Sequence, residues 1–97
     1  MDANKTLGYP LSGKSLKVAY TGTAGTTAAM DANAQVVRVI STTDCFIDIG
    51  PAPTAVADTG LYLPALTPEY FQAGPNWKVS AIQVASGGTL YITPFGG

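Results

Sequence analysis

Apolar and polar residues alternate along this chain in short runs, each closed by a turn signal, and rarely fall at helical spacing. Residues 36–41 place Val37 and Val39 on either side of Arg38, and residues 45–49 alternate Cys45, Ile47 and Ile49 with Phe46 and Asp48. A period of two sends successive side chains to opposite faces of a strand, so both runs predict half-buried strands. Thr42-Thr43-Asp44 between them reads as a hairpin turn. Gly50-Pro51-Ala52-Pro53 ends the second strand, because proline has no N–H to give a ladder.

The same pattern predicts strands over residues 15–20, over residues 61–63 with Pro64 as a stop, and over residues 69–73 before a Gly74-Pro75-Asn76 turn. A last pair, residues 77–85 and 89–93, is joined by Ser86-Gly87-Gly88. In the first of these Ile82 and Val84 share a face with Ser80; in the second Leu90 and Ile92 share one. Residues 54–60 read as a surface loop. Residues 26–35 are rich in alanine but lack an apolar stripe, so they read as a loop with room for one helical turn. Some seven strands about 8–12 residues apart predict an all-β fold, an antiparallel β-sandwich of jelly-roll-like form. It occupies residues 14–97, behind an extended, irregular N-terminal arm of residues 1–13.

Composition changes this picture in one respect. Ninety-seven residues make one domain with a thin core, and the chain is 46% hydrophobic but only 11% charged. So few charges protect a free monomer poorly against association, and partner subunits would supply the missing burial. The net charge is −1, and Lys5, Lys14, Lys17, Arg38 and Lys78 stand singly, without the cation cluster that nucleic-acid binding needs. No apolar run is long enough to span a membrane as a helix. The start, MDANKTLGYPLSG, lacks the pattern of a secretory signal, and the single Cys45 has no intrachain partner, which fits cytosolic synthesis.

Little chemistry is on offer. The chain has no histidine, which removes the commonest general base and the favoured transition-metal ligand. Cys45 shares a strand face with Ile47 and Ile49 and reads as a small buried hydrophobe. Asp44 and Asp48 could approach across one end of the expected hairpin as a carboxylate pair, although turn capping and a solvated face account for them better. Asp31-Ala32-Asn33 opens like a calcium loop but lacks the glycine and terminal glutamate of that motif. Gly22, Gly25, Gly87 and Gly88 match no phosphate-binding fingerprint. No catalytic, metal or cofactor site is expected. Trp77 reads as a cover over one end of the core. Aromatic and apolar residues are the candidates for contact with a partner: Tyr9, Pro10 and Leu11 in the arm, with Tyr62 and Tyr70.

The order of three blocks carries a resemblance. VVRVISTTDCFIDIG with PAPTA spans residues 36–55, YLPA and PEYF follow at residues 62–65 and 68–71, and KVSAIQ with GTLYIT closes the series at residues 78–83 and 88–93. This order resembles short structural proteins of tailed bacteriophages and prophages, and the N-terminal third takes no part in it. The resemblance implies a capsid cement, or decoration, protein: a β-sandwich that sits on the outer shell as a homodimer or homotrimer and clamps units of the major capsid protein. It implies a place in the virion after synthesis in the bacterial cytoplasm, and supplies no catalytic residues. A neck, head-fibre or tail component is the alternative within that class. A carbohydrate-binding module with Trp77 and Tyr70 as its platform is the alternative outside it.

Overall fold

A computed structural model describes residues 9–96, and in them the regular structure is entirely β. Nine strands follow in chain order: β1 Tyr9–Pro10, β2 Leu16–Tyr20, β3 Gly25–Thr26, β4 Val36–Ser41, β5 Cys45–Gly50, β6 Leu61–Leu63, β7 Glu69–Gln72, β8 Lys78–Gln83 and β9 Gly88–Gly96. They form two antiparallel sheets. Sheet A runs β2-β9-β4-β7, with β1 continuing the β2 edge along β9; sheet B runs β3-β8-β5-β6.

The pairings are nested. β2 pairs β9, β3 pairs β8, β4 pairs β7 and β5 pairs β6, so only the innermost pair joins consecutive strands. This overturns the expected hairpin at Thr42-Thr43-Asp44. β4 lies in sheet A against β7 and β9, and β5 lies in sheet B against β6 and β8. The expected final pair is overturned in the same way, since β8 belongs to sheet B and β9 to sheet A. Alternation fixes which face a strand buries but says nothing about its neighbour, and both short connections are corners between sheets.

Hydroxyl groups hold these corners. The Tyr20 hydroxyl donates to the Thr43 carbonyl at 2.8 Å and lies 2.7 Å from Thr43 Oγ1, and Ser41 Oγ donates to the same carbonyl at 2.8 Å. Thr43 Oγ1 donates to the Ser86 carbonyl at 3.1 Å, and the Thr89 N–H donates to Thr42 Oγ1 at 2.9 Å. The β4–β5 corner is thereby tied to the β8–β9 corner and to the end of β2. Gly88 is required there for space, since a Cβ would collide with Thr43 Oγ1 and come within 2.7 Å of Thr42 Oγ1.

One core joins the two inner faces. Val37, Val39, Leu90 and Ile92 from sheet A meet Cys45, Ile47, Leu63, Val79 and Ala81 from sheet B, all essentially without solvent exposure. The expected inner faces of β4, β9 and the first half of β5 are observed. Ser80 and Ile82 share a face of β8 as expected, and it is the outer one, with Val79 and Ala81 pointing inward. Ser80 is nevertheless fully buried, because residues 51–60 lie over it. Residues 26–35 hold no helix. They run beside β8, with Thr27 N–H donating to the Val79 carbonyl at 2.9 Å and Met30 N–H to the Trp77 carbonyl at 2.7 Å, and Met30 is buried. Asn76, at φ 62°, makes the expected turn before β8 in a conformation asparagine tolerates.

Of the expected arm, residues 1–8 lie outside the described residues. Tyr9 and Pro10 are not irregular: they pair with Gly96 and Phe95 of β9, and Leu11 N–H donates to the Pro94 carbonyl at 2.9 Å.

Candidate functional site: the outer faces of the two sheets

Cys45, Asp31, Asp44 and Asp48, the groups singled out for chemistry, serve the fold. Cys45 is free and buried, and burial pushes its thiol pKa up, away from the reactive thiolate. Asp44 Oδ1 accepts the Ala65 N–H at 2.8 Å. That bond and the Tyr62 hydroxyl hold the Asp44 carboxyl below its ordinary value, and the same bond to Asp44 raises the Tyr62 phenol. Asp48 instead accepts the N–H groups of Thr54 and Ile49, both at 3.1 Å. The two carboxylates serve separate loops, about 13 Å apart by strand rise, and form no catalytic pair. Asp31 Oδ2 accepts the Asn33 N–H at 2.9 Å in a local turn. Among the described residues no cluster of three metal-ligating side chains occurs. A shallow hollow of about 310 Å³ beside Asp44 is lined by Thr42, Thr43, Ala65, Val84, Ala85 and Ser86, a mixture of hydroxyl-bearing and apolar residues.

Binding surface is a different matter. Register places residues of neighbouring strands in rows across each outer face. On sheet A, Lys17, Tyr91 and Ile40 form one row; Thr93, Arg38 and Tyr70 a second; Pro10, Phe95, Val36 and Gln72 a third. Tyr70 and Tyr91 are each nearly half exposed, and the Tyr70 ring meets Phe95 edge-on at 6.0 Å. The charges in these rows are Lys17 and Arg38, both positive.

On sheet B, Tyr62, Phe46 and Ile82 form one row and Asp48, Ser80 and Thr26 another, with Lys78 beyond them. The Tyr62 and Phe46 rings meet edge-on at 5.7 Å. Residues 51–60 cross this face: Thr54 N–H donates to Asp48 and Ala55 N–H to Ser80 Oγ at 2.9 Å, and Gly60 packs on Phe46. Val56 is 53% exposed on top of this cover, with Asp58 at its turn. Asp44, Asp48 and Asp58 make this side acidic.

The five expected contact residues therefore do not form one patch. Tyr9, Pro10 and Tyr70 belong to sheet A, with Tyr9 exposed at the end where β1 meets Gly96. Tyr62 stands on sheet B, and Leu11 is half-buried against the core. Tyr91, Ile40 and Phe95 were not singled out from the sequence, yet the alternation of Thr89, Tyr91 and Thr93 with buried Leu90 and Ile92 carried the signal. Trp77 packs on Gly74 and the core, whereas Tyr70 faces Phe95, so these two aromatics form no joint platform. Comparison with protein-family models, with curated proteins and with solved structures finds no match to this chain.

Proposed function

We propose that this chain is a cement protein of a tailed-bacteriophage shell, bound in many copies to the major capsid protein and to its own copies. The observation that carries the reading is the distribution of exposed apolar side chains. Tyr9, Tyr70 and Tyr91 on sheet A and Tyr62, Val56 and Val84 on sheet B lie on broad faces rather than in a cleft. Such surfaces suit flat contact with other subunits, where many modest contacts in a symmetric array add up to strong retention.

The strand orders support the finer fold reading, a jelly-roll-like β-sandwich. Four nested antiparallel pairs are what one long hairpin gives when rolled into two sheets, and viral capsid and lectin domains use that architecture. A fold alone selects no function. The choice between shell and sugar rests on the likeness of residues 36–93 to phage structural proteins and on the separation of Trp77 from Tyr70. The role needs no catalysis and places the protein in the virion.

The test uses particles that lack the chain. Added full-length protein is expected to bind them to saturation at copy numbers in the hundreds and to raise the temperature at which they release DNA. Binding at a dozen sites or fewer assigns the chain to the neck or tail. No binding removes the virion reading.

A further inference from the structure

The two outer faces differ in charge as well as in cover. The rows on sheet A hold Lys17 and Arg38 among Tyr70, Tyr91 and Phe95, with no acidic residue. The opposite side of the molecule holds Asp44, Asp48 and Asp58 among Tyr62, Val56 and Val84, with Lys78 alone at its far end. Sheet A against a second sheet A would set Lys17 and Arg38 against their own copies, and the acidic sides would repel one another likewise. Sheet A against the loop-covered side of sheet B brings opposite charges together and covers aromatic surface on both partners.

We propose that a second copy of this chain docks heterologously, the outer face of sheet A on one copy against residues 51–60 and Tyr62 on the next. Opposite charges arranged this way steer encounter and fix register, while the aromatic side chains supply the buried area. A heterologous contact leaves one unused face at each end, so it closes as a ring of three or more copies or propagates, and it excludes a twofold dimer. It goes beyond the shell reading and holds with or without a shell. The end carrying Tyr9 stays free for another partner.

The experiment is sedimentation equilibrium on the purified full chain, with two charge-reversed variants checked for folding by circular dichroism. Lys17→Glu with Arg38→Glu inverts sheet A; Val56→Lys with Asp58→Lys inverts the other side. The unaltered chain is expected to assemble beyond the dimer, and 0.5 M salt to weaken that assembly by screening. Each variant alone is expected to stay monomeric, and an equimolar mixture of the two to assemble again. Restoration beyond the dimer on mixing is the signature of unlike faces in contact, because a like-with-like contact between the two oppositely charged variants closes at a dimer. Lys17→Glu alone, at an exposed position, keeps the test in force if the Arg38 change disturbs the sheet; it is expected to weaken association about three- to tenfold. A monomeric unaltered chain at about 1 mM, a discrete dimer, full assembly of either variant alone, or a mixture that stays monomeric overturns the proposal. Because no particle is present, none of these results bears on shell binding.

Discussion

The outer faces of the two sheets are built from the same alternating strands, yet they end in opposite states. On sheet B the outward polar groups are at work: Asp48 and Ser80 accept the N–H groups of Thr54 and Ala55 and fasten a proline-rich loop across the face. Among the described residues no such anchor fastens a loop across sheet A, and Tyr70, Tyr91, Ile40 and Phe95 remain on the surface. An outward serine and aspartate directly opposite each other on paired strands convert a sheet face into a floor for a loop. An outward row of aromatics leaves it as a contact surface. The loop also moves the exposed apolar surface outward, from Ile82 and Phe46 to Val56, and brings Asp58 with it.

The sharpest way to test this contrast is to change adjacent residues on opposite sides of one strand. Leu90→Ala removes an inner side chain with no solvent exposure and is expected to cost about 2–5 kcal/mol in urea unfolding. Tyr91→Ala, one position on, is expected to stay within about 1 kcal/mol of the parent, because its side chain points outward and is nearly half exposed. Comparable losses from both would mean that the face of sheet A is packed within the monomer.

Next in size is the anchor beneath the loop. Ser80→Ala leaves the Ala55 N–H buried without an acceptor and is expected to cost about 1–3 kcal/mol, with amide exchange accelerated at Ala55. Thr93→Ala, outward on sheet A, is expected to change stability by about 0.5 kcal/mol or less. If Ser80→Ala leaves exchange at Ala55 unchanged, the loop is held by other means.

Truncation sharpens the contrast at the end of sheet A. Removing residues 1–13 takes away β1 and Leu11, and is expected to lower the melting temperature as well as particle binding. Removing residues 1–8 is expected to spare the melting temperature and reduce particle retention. Full retention by that shorter truncation would take the arm out of the account.

The smallest effect is electrostatic. The Asp44 carboxyl is held below its ordinary value of 3.8 by the Ala65 N–H and the Tyr62 hydroxyl. A depressed folded value means that the unfolded chain binds the proton more readily. The stabilisation is therefore complete well above pH 4 and fades as the pH falls through and below 3.8. Amide exchange at Ala65, corrected for its intrinsic pH dependence, is expected to lose protection over that acid range, and Asp44→Asn to abolish the pH dependence.

Strand existence and most inner faces were legible in the sequence because they rest on local alternation: Val37 and Val39, Cys45 and Ile47, Leu90 and Ile92 all point inward as their spacing requires. Strand partners were not. The nested order pairs β2 with β9 across most of the chain, and a three-residue link such as Thr42-Thr43-Asp44 serves a corner as well as a hairpin. Which face of β8 turns inward was not legible, because outward Ser80 and Ile82 alternate as cleanly as inward Val79 and Ala81, and only the loop above explains a buried serine. The two-residue strand at Gly25–Thr26 carries no periodicity at all. It forms because Gly25 lets the chain pass against the Ala19 carbonyl, where a Cβ would collide. Of the contact surface, Tyr62 and Tyr70 were visible as aromatics on short edge strands, but their assignment to opposite sides required the sheet order.

The central claim, that this chain binds a shell through broad exposed faces, is tested most directly by a cryo-EM map of particles carrying it. The account predicts chain density on the outer shell in copies numbering in the hundreds, with the Tyr9 end against the capsid protein and outer faces of neighbouring copies in contact. Density confined to a dozen or fewer copies at the portal or tail, or shell-bound copies whose outer faces touch nothing, would contradict it.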